Sequence, residues 1–227
     1  MNAVKRREIM AFHEAAHAVV ARTLGLSCAG IAMFPTSASG SGSAMTRSAA
    51  YFGGDSIDDQ IAGLKLDIQV ALAGPAANAR YSGNPKKFFD GASDDFANAQ
   101  SAAIKIALLK AGYDLPRYHD DMNVEIDGSI VDEANAVLVE LKGEVEARIE
   151  ENWPSIERVA MELMKVDLLA EADIDALMKQ ALTAQVPFMI TQAQKRQLRE
   201  LGHDEESIKN MTPVAAGKLL GKLPAPD

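Results

Sequence analysis

Apolar residues recur every three to four positions over most of this chain, and the runs stop at Gly, Pro and Asn-rich points. Ile9, Phe12, Ala16, Val19, Val20 and Leu24 form one such stripe. They predict a first helix over residues 3–24, with Asn2 as its cap and Gly25 as its stop. A second helix is expected over 56–81, capped by Ser56 or Asp55 and ended by Ser82-Gly83-Asn84-Pro85. Pro75 in its interior should kink it or split it in two. Ser93 is placed to cap a third helix that stops at Gly112, and helical patterns then cover about 130–151, 154–165 and 171–183. Trp153-Pro154 marks a turn, with Trp153 as a packing anchor.

Between residues 27 and 51 the helical period is lost. CAGIAMFP reads as a strand ended by Pro35, and SASGSGSAMTR follows it. On composition that second stretch is a flexible loop. The alternative is a glycine-rich edge strand beside a cleft, approached closely by a substrate backbone. The segment YDLPRYHDDMNVEIDGS is polar and turn-rich, a connector. Beyond Val186-Pro187, Thr191, Asp204 and Thr212-Pro213 each open a short helix. Leu198, Leu201, Ile208, Met211, Leu219 and Leu220 are expected to form a miniature core there. This pattern resembles a small three-helix, ubiquitin-associated-like module, which implies either a binding site for a protein partner or a stabilising appendage. The chain is thus expected to be mainly α with a small β element, divided into residues 1–185 and a module over 188–227.

Composition narrows the function classes. A chain of 227 residues can bury one good core with a small second module. Its 48% hydrophobic and 24% charged residues are ordinary for a globular protein. The net charge of −9, spread along the chain, argues against nucleic acid as a partner. A single cysteine, Cys28, excludes an intrachain disulfide and a thiolate metal knuckle. The basic N-terminus begins like a signal peptide, but His13, Glu14 and His17 interrupt its apolar run. No apolar run of about 18 residues occurs, so no membrane span is expected and the reading is cytoplasmic.

The stretch that carries chemistry is HEAAH, residues 13–17. Histidines four apart on a helix share one face about a turn apart and can converge on one cation. Zinc suits imidazole and leaves a position open for water. Glu14, one residue after the first histidine, is placed to take a proton from that water and pass it to a leaving amine. A third ligand is required. Thr23 stands where a downstream histidine would complete one known extension of the motif, and no acid lies between Gly25 and Gly54. The candidates from the residues alone are more distant carboxylates or His119.

HEAAHAVVARTLG, GIAMFP with its Gly/Ser segment, ALAGPAANARYSG and GASDDFANAQSAA follow one another in that order. Over about Val4 to Gly112 this resembles the peptidase domain of the FtsH-type ATP-dependent zinc metalloproteases, whose stretches read approximately HEAGHA, LGGRAAEE and GASNDF. The resemblance implies zinc held by His13, His17 and Asp95, with Glu14 as the catalytic base. Asp94 stands at the family's Asn and is the rival to Asp95. With the composition, it also implies a protein or peptide substrate pairing along Gly40, Ser41, Gly42 and Ser43. Three departures stand out. The family's motif glycine is Ala16, its Arg is Pro75, and its paired Glu positions are Asn78 and Ala79, so contacts supporting the ligands should be lost. No GxxxxGK[ST] loop occurs. The expectation is therefore a zinc endopeptidase acting on unfolded segments or peptides without its own ATPase, with a homo-oligomer left open. The alternative is a non-catalytic zinc-binding adaptor or scaffold that keeps a degenerate peptidase fold. A hydrolase of some other bond shares the motif.

Overall fold

The computed structural model describes residues 3–34, 41–46, 56–89, 93–113, 115, 126–183 and 190–220. In chain order these form α1 (Ala3–Thr23), β1 (Cys28–Phe34), β2 (Ser41–Thr46), α2 (Ile57–Ser82), a 3-10 turn (Pro85–Phe89) and α3 (Ser93–Lys110). Then follow α4 (Gly128–Glu151), α5 (Trp153–Val166), β3 (Leu168–Ala170), α6 (Glu171–Thr183), α7 (Gln192–Glu200), α8 (Glu205–Asn210) and α9 (Pro213–Leu219). The described residues are mainly helical with one small sheet, as the periodicity predicts.

α1 is the central element, packed against α2, α5, β1 and β2. Ala11, Phe12, Ala15, Ala16, Ala18, Val19, Val20 and Ala21 are all fully buried, so the helix is covered around most of its circumference between residues 11 and 21. Its alanines explain this: small side chains let several neighbours approach at once. Phe12 is the bulky exception, stacked on Tyr81 at 4.4 Å and on Trp153 at 5.2 Å between ring centroids. The Arg80 guanidinium lies 3.8 Å from the Trp153 ring, so Trp153 does anchor packing. α1 ends at Gly25 (φ 78°), where Leu26 N–H reaches the Ala21 carbonyl at 2.9 Å in a Schellman arrangement. Arg22 fastens this end to α6 through both Asp175 oxygens, at 2.8 and 2.9 Å.

α2 begins at the Ser56 cap, whose hydroxyl accepts Asp59 N–H at 3.1 Å, and ends at left-handed Gly83. It runs unbroken through Pro75 and is not split in two. Leu72 to Ala77 are buried on both sides of the proline, and packing against α1, α3 and α4 holds the helix across the missing N–H. α3 starts at Ser93 itself, which was expected one position outside it.

The sheet has three antiparallel strands in the order β2-β1-β3. Ser41 to Thr46 therefore form an edge strand, with Ala44 opposite Ile31 and Gly42 opposite Met33, and the loop reading fails for these residues. Gly40 and Pro35 lie outside the described residues. β3 was not anticipated; its three residues carry no alternation to read and pair with Gly30 to Ala32.

The last three helices form around Ile190, Leu198, Ile208 and Ala216, with Met211 and Leu220 packed alongside. Thr191 closes a capping box with Gln194, Asp204 accepts Ser207 N–H at 2.7 Å, and Thr212 accepts Ala215 N–H at 3.2 Å. Leu201 and Leu219, expected in this core, are 60% and 49% exposed. Leu201 falls just past the end of α7, where the chain turns and the residue leaves the buried face set by Leu198. Among the described residues no helix is long and apolar enough to cross a membrane.

Phe12→Ala removes two ring contacts from a fully buried position and should lower stability by about 3–5 kcal/mol. Leu201→Ser should change it by less than about 0.5 kcal/mol. Urea unfolding of the two variants measures the contrast.

Candidate metal centre

The α1 face at positions 13 and 17 meets the α2 face at 70, 74 and 78. The pairs run in opposite directions: His17 meets Val70 and His13 meets Asn78, so the helices are antiparallel and their four-residue rows lie in step. Gly74 sits between. A Cβ built on it would lie 2.5 Å from His13 Cε1 and 2.5 Å from His17 Nε2, so both imidazoles occupy the space a side chain would take. Glycine inside a helix is unfavourable by roughly 0.5–1 kcal/mol against alanine, and here close approach supplies its reason.

His17 Nδ1 lies 2.7 Å from the Val70 carbonyl oxygen. A carbonyl only accepts, so Nδ1 carries the proton and the neutral ring presents a bare Nε2 lone pair. That Nε2 is 3.1 Å from His13 Nε2. Asp95, in the first turn of α3, brings Oδ2 to 3.0 Å from His13 Nε2 and Oδ1 to 3.5 Å from His17 Nε2. These three residues are a potential metal-binding group among the described residues. Their separations bracket the roughly 3.3 Å edge expected for N and O ligands arranged tetrahedrally about zinc at 2.0–2.1 Å. Electron-rich atoms this close require a cation or a shared proton between them, and the donor set fits a divalent metal.

Asp95 is held in place by its neighbour. Phe96 packs on Phe88 of the 3-10 turn, 5.5 Å between ring centroids, which fixes the start of α3 against the turn that follows α2. Asp94, one residue away, is exposed and outside the cluster. His203 is half-buried in the connection between α7 and α8, and His119 lies outside the described residues.

Glu14 is only 6% exposed. Burial pushes its carboxyl above the usual range, partly opposed by His17 and His13, and the backbone of Ala44 in β2 hydrogen-bonds to it. Burial alone would lower His17, but the hydrogen bond and charge of Asp95, with Glu14 behind, outweigh it and raise the imidazole. Burial works upward on Asp95, and the two histidines overcome it and hold the carboxyl far below its ordinary range.

The loss of supporting contacts expected from Asn78 and Ala79 does not follow for Asn78: its amide lies 3.1 Å from His13 Nδ1. Val70, Gly74 and Asn78 were all missed as site residues. The only signal for them was a glycine retained inside a helical pattern, in LAGPAANA. Comparison of the chain with protein-family models and with curated proteins found no match.

Two predictions follow from the geometry. Gly74→Ala should abolish divalent-ion binding in a folded protein, whereas Gly143→Ala, with open space at its Cβ, should not; metal analysis after dialysis distinguishes them. An ion can bind His17 only when Nε2 has lost the second proton of the imidazolium, so affinity should fall as pH drops through that raised imidazole range and level off above it. Chelator competition across pH reads this directly, and a flat profile would contradict it.

Proposed function

We propose that this protein is a zinc-dependent endopeptidase that cleaves peptide bonds in extended segments. The observation that carries the reading is the convergence of His13 Nε2, His17 Nε2 and the Asp95 carboxylate next to the buried Glu14. Two histidines and one carboxylate also serve non-haem iron enzymes. Glu14 favours hydrolysis, because a metal held for redox or structural purposes has no use for a buried carboxylate at this place. The resemblance of the first 112 residues to the FtsH-type peptidase domain points the same way.

In this reading zinc, when bound, supplies Lewis acidity toward water and the scissile carbonyl. Glu14 takes a proton from the attacking water and returns it to the leaving amine. Burial raises its pKa, which strengthens it as a base. His13, His17 and Asp95 would hold the ion, Asp95 through its carboxylate. β2 is an edge of the sheet, and its Ala44 backbone touches Glu14. A peptide adding to that edge through Ser41, Gly42 and Ser43 would run past the base with its carbonyls in reach. Gly40, the fourth residue expected there, lies outside the described residues.

Glu14→Gln should keep zinc and lose casein or peptide cleavage by about 10²–10⁴-fold. Asp95→Ala should lose zinc, and Asp94→Ala should retain it; metal content by elemental analysis reads both. Ser41→Pro or Gly42→Pro should weaken cleavage with zinc intact, and unchanged rates would remove β2 from the substrate path. Wild type and Glu14→Gln that both hold zinc and both fail to cleave would replace the enzyme with a non-catalytic zinc-binding adaptor.

A further inference from the structure

The two histidines are not held alike. His17 is oriented by a backbone carbonyl, which has one possible role. His13 is oriented by the Asn78 side chain, whose amide carries a donor on one side and an acceptor on the other. In the structure Nδ2 faces His13 Nδ1, and Oδ1 is buried with no hydrogen-bond partner. Asn78 is only 8% exposed, so that orphaned oxygen is not compensated by bulk solvent. With Nδ2 donating to Nδ1, His13 carries its own proton on Nε2. That proton can bridge to Asp95 at 3.0 Å or to His17 at 3.1 Å, which accounts for the close contacts without an ion. The same proton would block ligation through Nε2.

We propose that Asn78 is a positioning residue that selects the tautomer of His13, an inference that rests on the metal-centre reading above. Half a turn of the amide exchanges its two ends. Oδ1 then accepts Nδ1–H, Nε2 of His13 is bare like that of His17, and the NH2 group takes the place the oxygen has left. The amide therefore has two settings, one matched to a shared proton in the site and one matched to a cation. An aspartate at the same position offers acceptors only and permits just the second setting.

The test uses the full chain and Zn²⁺ as the probe. Asn78→Leu should bind Zn²⁺ about 10–100-fold more weakly than wild type. Asn78→Asp should bind it at least as tightly as wild type, a rescue that a purely space-filling role for Asn78 would not give. Long-range ¹H–¹⁵N NMR of the wild type, above the imidazole titration range, should show the His13 proton on Nε2 without metal and on Nδ1 with Zn²⁺. The same His13 tautomer in both states would overturn the proposal, as would a folded Asn78→Leu with wild-type affinity. If Asn78→Leu does not fold, the wild-type NMR comparison decides alone. A wild type that binds no Zn²⁺ at all defeats the metal-centre reading itself, which is a different result from binding that ignores Asn78.

Discussion

The site depends on how closely α2 approaches α1 at Gly74. Two imidazoles fill the volume that any side chain there would need. The four-residue rows of the two helices lie in step, so the positions one turn to either side of Gly74 meet the outer nitrogens of the same two rings. One contact thereby sets three things: the separation of the Nε2 atoms, the orientation of the rings and the partners of their far nitrogens. The proline next to Gly74 is compatible with this because burial on both sides keeps the helix continuous.

That arrangement has an electrostatic cost. α1 is buried around most of its circumference, yet it carries Glu14 and His17 in the buried part. Removing such groups from water is unfavourable unless each finds a partner. Here each does: His17 has Val70 and Asp95, and Glu14 has the backbone of Ala44. The partners come from α2, α3 and β2, so the polar groups of one helix draw three other elements inward. The same low-dielectric surroundings that make these groups expensive push their proton affinities away from solution values, which is the usual condition of a reactive site.

Much of this was legible in the residues and some was not. Helix ends were readable because capping chemistry is local: Ser56, Thr191, Asp204 and Gly25 act through bonds within one turn. HEAAH was readable for the same reason, since helical spacing alone brings its two histidines together. Asp95 lies 78 residues from His17, and only the order of motifs singled it out from Asp94. The Gly/Ser stretch of β2 was ambiguous because those residues suit a loop or an edge strand equally, and pairing with β1 decided it. Gly74, Val70 and Asn78 were hidden because their roles arise from the register between two helices. Leu201 misled because its spacing from Leu198 continues a helix that has already ended.

The donors come from two distant stretches, residues 13–17 and residue 95, and an ion held between them would close a loop of some eighty residues. Such a closure acts as a reversible cross-link. It adds stability in proportion to the logarithm of ion concentration, because the ion binds the folded arrangement of donors and not the unfolded chain. The chain has one cysteine and can form no internal disulfide, and among the described residues this cluster is the fastening of that kind its donor residues offer. The candidate site and the tether between α1 and α3 would then be a single object, gained or lost together.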